Sequence, residues 1–359
     1  MKLTAEIWKM MSRTLSVMAL SAFVLTACDD AIYDDEGDCS HVYKVAFRYD
    51  MNMAYADALT HDVKSVTLYA FDNNGKFVKS FNNTIASMAM NNYMMDVDLD
   101  PGTYQFVAWG GLNDGLNSYT VTAMQPGVST IQDLTNMVNR THDAEGNAVV
   151  GEVNNLFYGA TADTLPDEEG IHVVTVPLMK NTKRINVVLQ SLSGKTLDVD
   201  KFRFSITSGN GKMNYDNSLM ADEILTYEPY YLQEGTAEVY TRADGEEEVQ
   251  QLGVVVAEMN TNRLVKDWPE RTWLHISTVE GKNVLTIPLI DYLLLVKGKY
   301  NGGMSDQDFL DRQDNYSITF FLYDSNPGGD DDDDDDEDTW WSAEIIINSW
   351  KIVLQNADL

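Results

Sequence analysis

The chain has 359 residues and a formal net charge of −31 at pH 7, from 56 acidic and 25 basic side chains. Nucleic-acid phosphates and anionic lipid both repel a chain this acidic, so charge-driven binding to either is excluded. Only two cysteines occur, Cys28 and Cys39, which excludes a disulfide framework and a cysteine-ligated metal site.

The first element is an apolar run at 15–27, preceded by three basic residues. This order is typical of a secretory signal, and the run is shorter than the about 20 residues that span a bilayer. It ends in LTAC, which resembles the lipobox of bacterial lipoproteins. We therefore predict a signal peptide at 1–27 and lipid on Cys28. An ordinary signal peptide with a chance cysteine is the alternative.

Residues 28–40 carry six acids and predict a solvated, flexible tether behind the lipid. The segment resembles the acidic surface-export signal of Bacteroidetes lipoproteins, and a plain linker is the alternative. Together the two segments predict a protein anchored by lipid in the cell outer membrane and exposed at the surface.

The rest of the chain is dominated by strand patterns of period two, as at 42–50, 92–100 and 201–207. Many short strands separated by turns predict an all-β protein made of β-sandwiches, with an N-terminal domain at 41–181 and a C-terminal domain at 182–359. Further strands are predicted at 63–72, 76–81, 100–110, 171–178, 184–192, 253–259, 272–278, 283–290, 316–323 and 340–354. Short helices are predicted at 131–138 and 306–312.

Nine consecutive acids, Asp330–Asp338, lie between the predicted strands 316–323 and 340–354. A run of like charges repels itself and stays extended, so we interpret 325–339 as the solvated loop of a hairpin. A specific calcium site is the alternative, but such sites hold carboxylates at fixed spacing around a bend.

Residue patterns that carry chemistry are missing. The SGKT at 193–196 lacks the earlier glycine of a phosphate-binding loop, because Leu189 stands there. No two of the five histidines are three or four residues apart, so no helical zinc pair is predicted. The sequence predicts no catalytic residues, no metal site, no cofactor and no enzymatic activity.

Four long strings, at 28–59, 63–78, 287–322 and 347–356, resemble the FimB-type fimbrial anchor proteins of Bacteroidetes, the fimbrillin-A-associated anchor family. The resemblance implies two transthyretin-like β-sandwich domains in tandem and a lipid anchor at Cys28. It also implies an outer-membrane lipoprotein that ties a fimbria to the cell, has fimbrial shaft subunits as partners and limits fimbrial length.

The resemblance also implies how the shaft subunits of such fimbriae assemble. Proteolysis after a basic residue removes a subunit's first strand and opens a groove, and the C-terminal strand of a neighbouring subunit then fills this groove. Here we predict that strand 42–50 stays in place, because cleavage at Arg48 would sever the lipid. The candidate donor is then the C-terminal segment 345–359. Its alternate apolar residues are Ile345, Ile347, Trp350, Ile352 and Leu354.

Two alternatives remain open at this stage. The segment 345–359 could simply be the last strand of the second domain. The protein could also be a fimbrial tip or surface adhesin that binds a host glycan or protein, with Trp340 and Trp341 beside the acidic run as candidate contacts.

Overall fold

The computed structural model describes residues 41–192, 196–243, 246–298, 301–323, 341–347 and 350–352. Within them the chain forms 23 strands in four sheets with only short helices, which confirms the all-β prediction. The predicted signal peptide, Cys28, the tether at 28–40, the acidic loop and Leu354 lie outside the described residues.

The first sheet contains seven strands from the N-terminal part of the chain, in the order β3-β2-β5-β10-β11-β1-β4. The first strand, β1, lies inside this sheet, parallel to β11 on one side and antiparallel to the short β4 on the other. The strands are β1 (His41–Met51), β2 (Ser65–Asp72), β3 (Phe77–Thr84), β4 (Met94–Asp96), β5 (Gly102–Gly110), β10 (Phe157–Leu165) and β11 (Gly170–Lys180).

The β2–β3 hairpin shows how the sequence builds this sheet. Asp72 accepts hydrogen bonds from the backbone N–H groups of Asn74 and Lys76, at 2.8 Å each, and closes the turn. Gly75 takes a positive φ of 72°, which glycine adopts at little cost. The predicted hairpin at 63–81 is therefore confirmed.

One face of the first sheet buries its own apolar core. Alternate side chains of β1 lie in this core, namely Tyr43, Val45, Phe47 and Tyr49. Two short helices, α1 (Leu59–Asp62) and α2 (Ile85–Met88), each contribute buried residues to it. Each fully buried large apolar side chain contributes about 1.5–3 kcal/mol, so β1 is a major part of what stabilises this half.

The second sheet contains six strands in the order β17-β18-β12-β21-β22-β23. β21 and β22 pair antiparallel, as the hairpin predicted around the acidic run requires. The single strand predicted at 340–354 is wrong, because β22 and β23 are two antiparallel strands. The strands are β12 (Lys183–Ser191), β17 (Tyr231–Ala243), β18 (Glu246–Thr261), β21 (Asn315–Tyr323), β22 (Trp341–Ile347) and β23 (Trp350–Ile352).

The third and fourth sheets combine strands from both sides of residue 181, so the two halves interlock. The third runs β20-β19-β13-β16-β9-β8 and the fourth β15-β14-β7-β6. The domain boundary near 181 stays a prediction. The strands are β6 (Tyr119–Val121), β7 (Thr135–Val138), β8 (Thr141–His142), β9 (Ala148–Val150), β13 (Phe202–Ser208), β14 (Lys212–Asn214), β15 (Leu219–Met220), β16 (Leu225–Tyr227), β19 (Trp273–Thr278) and β20 (Asn283–Pro288).

The helices agree with expectation in one place and differ from it in two. The helix predicted at 306–312 is confirmed as α4 (Asp306–Arg312), capped by the Ser305 side chain. The predicted strand 283–290 ends at Pro288, where α3 (Leu289–Leu295) begins. The helix predicted at 131–138 is wrong, because a single 3-10 turn at Ile131–Asp133 leads directly into β7.

Candidate functional site

Four of the five candidate donor residues lie in the two terminal strands. Ile345 and Ile347 belong to β22, and Trp350 and Ile352 belong to β23. β22 pairs with β21, where Ile347 lies opposite Ile318 and is fully buried. The described residues of the segment, 345–347 and 350–352, are thus part of the chain's own sheet, as the alternative interpretation expects.

β23 is the edge of that sheet in the described part of the chain. It pairs with β22 through three positions, with Trp350 opposite Ile347 and Ile352 opposite Ile345. A three-residue edge strand leaves its sheet more easily than β22, whose Ile347 is buried in the core. Donation of β23 to a partner stays a proposal.

The first strand is held on both sides. β1 pairs with β11 at positions from His41 to Met51 and with β4 at Lys44 to Ala46. The Arg48 side chain points to solvent, with 58% of its surface exposed, and its Nε lies 2.8 Å from Asp50 Oδ2. The peptide bond after Arg48 lies within the strand, so a protease would meet it only after β1 has left the sheet.

A buried charge cluster joins the C-terminal elements and was not predicted from the sequence. Arg263, just after β18, donates from Nε to Asp311 Oδ1 at 2.9 Å and from Nη2 to Oδ2 at 2.8 Å. Its Nη1 also donates to the Asn217 carbonyl at 2.6 Å. The pair connects α4 to the end of β18 and to the β14–β15 turn.

Lys183, the first residue of β12, is fully buried beside this pair. Its Nζ donates to the backbone carbonyls of Asp311 at 2.9 Å and Lys180 at 3.2 Å. Burial lowers the pKa of Lys183 to about 7, although the carboxylates of Asp311 and Asp314 favour the charged form. The lysine therefore fixes α4 against the start of β12.

Buried amides and hydroxyls continue the cluster across the junction of the two halves. Asn260 on β18 donates to the Val153 carbonyl at 2.9 Å and accepts from the Val153 N–H at 3.3 Å. The Tyr119 hydroxyl donates to the Asn154 carbonyl at 3.0 Å, and burial raises the pKa of Tyr119 above its usual range. The Asn260–Val153 bonds join residues 107 apart and the Tyr119–Asn154 bond joins residues 35 apart, and together they give the junction a single geometry.

A signal for this junction is present in the sequence. Two similar polar tetrads, NTKR at 181–184 and NTNR at 260–263, directly precede and follow apolar strands. The structure pairs them side by side, with Lys183 opposite Thr261 and Arg184 opposite Asn260. Polar residues repeated at strand ends could have marked the contact, but the pairing of β12 with β18 is not readable from the sequence.

A polar cleft of about 450 Å³ opens beside the junction. Its cations are largely neutralised, because Lys180 lies 2.7 Å from Asp314 and Arg184 pairs with Glu258. The remaining lining combines four asparagines, Thr182 and Tyr230 with the charged residues Lys64, Asp114 and Glu152. Such a cleft can hydrogen-bond a neutral polar ligand and holds no nucleophile–base pair.

In the described ranges, no group of three or more His, Cys, Asp or Glu side chains is placed to hold a metal ion. None of the helices among these residues is long and apolar enough to cross a membrane.

A family model described as fimbrillin-A associated anchor proteins Mfa1 and Mfa2 matches residues 35–356. The chain belongs to this family. The match includes β1 and the terminal strands as well as the interlocked sheets between them, so the family covers every described part of the fold.

Relatives agree with this assignment. The minor fimbrium anchoring subunit Mfa2 of Porphyromonas gingivalis is 26% identical over 218 residues, which is 57% of this chain and 61% of that relative. The alignment therefore spans less than two thirds of the relative's length. A solved structure from Bacteroides thetaiotaomicron, described as a candidate adhesin, is 32% identical with a TM-score of 0.72 and covers 89% of this chain and 100% of that one.

The solved fimbrial anchor protein Mfa2 from Porphyromonas gingivalis has a TM-score of 0.59 at 16% identity. It covers 88% of this chain and 100% of that chain. At this identity the likeness shows a shared fold across almost the whole described structure.

Proposed function

We propose that this protein is an outer-membrane lipoprotein, with lipid on Cys28, that anchors fimbriae at the cell surface. The observation that carries the proposal is the family match over residues 35–356. The protein binds fimbrial shaft subunits and limits fimbrial length. No enzymatic activity forms part of this function.

The position of β1 supports an anchor over a shaft subunit. A subunit that accepts a neighbour's strand needs an open groove, whereas β1 fills the sheet between β11 and β4. Its four buried apolar side chains would have to be exposed to open that groove. A chain that keeps β1 keeps its covalent link to the tether.

If β1 stays in its sheet, another element must contact the shaft subunits. Our candidate is the pair of terminal strands, β22 and β23. Backbone hydrogen bonds of β23 would give affinity, and alternate side chains would give specificity. Because Ile347 is buried and β23 is a short edge strand, β23 can leave while β22 keeps the core closed.

The experiment is a pull-down from native cells after gentle detergent release, with mass spectrometry of the bound proteins. The full chain should recover fimbrillin-like subunits. A variant that ends at Ile347 should stay folded and lose them. A Cys28→Ser variant should be released without detergent and still bind shaft subunits, because only its lipid is removed.

The outcomes separate the parts of the proposal. Recovery of shaft by the shortened chain would refute the donor role of β23 while leaving the anchor intact. Recovery of the lipoprotein alone, from cells that make fimbriae, would refute the anchor itself.

A tip or surface adhesin is the second candidate function. It is favoured by the 32% identity to the candidate adhesin and by the polar cleft beside the junction. Asparagine side chains at the cleft could hydrogen-bond sugar hydroxyls. Binding to a glycan panel that is lost in Asn155→Leu would support this function, and an unchanged panel would count against it.

A further inference from the structure

The outer edge of β17 differs from the other sheet edges of the described chain. The four sheets have eight edge strands: β3, β4, β6, β8, β15, β17, β20 and β23. Five of these have only two or three residues, whereas β17 has 13. A long edge strand presents a row of unpaired N–H and C=O groups to any extended chain that can reach it.

The two other long edges carry features that prevent pairing. β3 has a register shift against β2 and contains Lys79. β20 has a register shift against β19 and ends at Pro288. Bulges, lysine and proline are the common protections of sheet edges.

β17 differs from both, although it carries the charged residues Glu234, Glu238 and Arg242. It pairs with β18 from Tyr231 opposite Glu258 to Ala243 opposite Glu246 without any register shift. It contains neither lysine nor proline. Within the described residues no strand pairs with its outer side, and residues 231–236 are exposed, including Tyr231 at 44% and Leu232 at 39%.

The far part of the hairpin depends on β17 and β18 alone. β12 pairs with β18 only as far as Val254, so the pairs from Thr236–Gly253 to Ala243–Glu246 form a two-stranded ribbon. A two-stranded hairpin is marginally stable in water, and a third strand is what usually stabilises it. Added pairing along β17 would therefore stabilise the ribbon.

The negative charge of the β17–β18 hairpin determines which kind of strand would pair with β17. β17 and β18 carry one basic residue, Arg242, and six acids, of which Glu258 is already paired with Arg184. A second copy of this hairpin would meet like charge, which disfavours pairing between two copies. The acids are Glu234, Glu238, Glu246, Glu247, Glu248 and Glu258.

We propose that the outer edge of β17 binds an extended segment of another protein that carries lysine or arginine at alternate positions, by β-strand addition. Backbone hydrogen bonds along β17 hold the segment, and the hairpin's acids attract its basic side chains. This site is separate from the terminal strands, because β17 and β23 are opposite edges of the same sheet.

The test is amide hydrogen exchange of the full chain with a synthetic peptide that alternates valine and lysine, as long as β17. Exchange at 231–237 should slow about tenfold or more. A matched valine–glutamate peptide should leave it unchanged. Two variants complete the test. Glu234→Lys reverses an exposed charge and also removes the carboxylate that accepts from the Val199 N–H at 3.2 Å. Thr236→Lys adds a positive charge at an exposed neighbouring position and leaves that bond in place. Each should weaken binding about fivefold.

The control is Glu169→Lys, an equal charge change at an exposed residue before β11 in another sheet, which should bind the peptide as the parent does. Unchanged exchange at 231–237, or equal protection by both peptides, would overturn the proposal. Protection at 350–352 instead would assign strand addition to β23. Protection of 231–237 by raised protein concentration alone would make the occupant a second copy.

Discussion

Arg263 and Asp311 form a two-pronged ion pair, with Nε–Oδ1 and Nη2–Oδ2 distances of 2.9 and 2.8 Å. The Arg263 side chain is 15% exposed and that of Asp311 is 9% exposed. The pair ties α4 to the end of β18, beside the fully buried Lys183. Removing either charge would leave the other without its partner in a poorly solvated site.

We expect Asp311→Asn to lower the free energy of unfolding by about 3 kcal/mol, because breaking a buried pair leaves one charge uncompensated. Asp308→Asn on the same helix is the matched control, since Asp308 is 33% exposed and pairs with Arg312 at 3.2 Å. It should cost about 0.5 kcal/mol or less. Urea unfolding measures both, and equal losses would refute the role of the junction pair.

Lys183 predicts a specific pH dependence. Its folded pKa of about 7 lies below its ordinary value of 10.5, so burial disfavours the charged form. The unfolded chain then binds more protons between these values, and stability rises with pH from about 7 to about 10. Lys183→Met should flatten this rise, which urea unfolding at pH 7 and pH 9 would detect. If Lys183→Met changed the free energy of unfolding equally at both pH values, the prediction would be contradicted.

The retention of β1 predicts resistance to trypsin at Arg48. The native protein should release no fragment that begins at Tyr49, because cleavage requires β1 to leave the sheet. The same bond should be cut rapidly in urea, which serves as the control. Cleavage in native buffer at a similar rate would show that β1 detaches readily.

A substitution at Gly111 would test how closely the backbone there approaches the backbone at Asn155. Gly111 has φ +88°, and a Cβ there would lie 1.8 Å from the Asn155 carbonyl oxygen. Gly115 has φ +116° but nothing within 4 Å of its Cβ position. Both alanine variants strain the backbone, so Gly111→Ala should cost about 2–3 kcal/mol more than Gly115→Ala. Thermal unfolding would measure the difference, and equal costs would refute the contact.

The sequence predicted strands correctly where one face of the strand is buried and the other is exposed to solvent. The alternation at 42–50 and 201–207 corresponds to β1 and β13, and the turn sequence after Phe71 to the β2–β3 hairpin. The pattern at 92–100 gave a strand of only three residues, β4, although the Val97 N–H after it still donates to the Tyr43 carbonyl of β1 at 3.0 Å.

Two features required tertiary information. β17 was not predicted, because its exposed positions show no burial alternation. The interlocked sheets were not predicted either, since β9 pairs with β16 and β7 with β14 across more than seventy residues of sequence. Local propensity carries no information on such pairings. Ile131, Leu134 and Val138 are all buried, yet a turn and a strand bury them and not a helix.

The position of β1 has a mechanical consequence. A pull on His41 along the chain acts parallel to this strand, and the backbone bonds to β11 and β4 run across it. Those bonds would carry the load together, in shear. A pull on β23 at its free edge would instead break three pairs one after another. The described chain thus resists tension at its first strand and yields to peeling at its last.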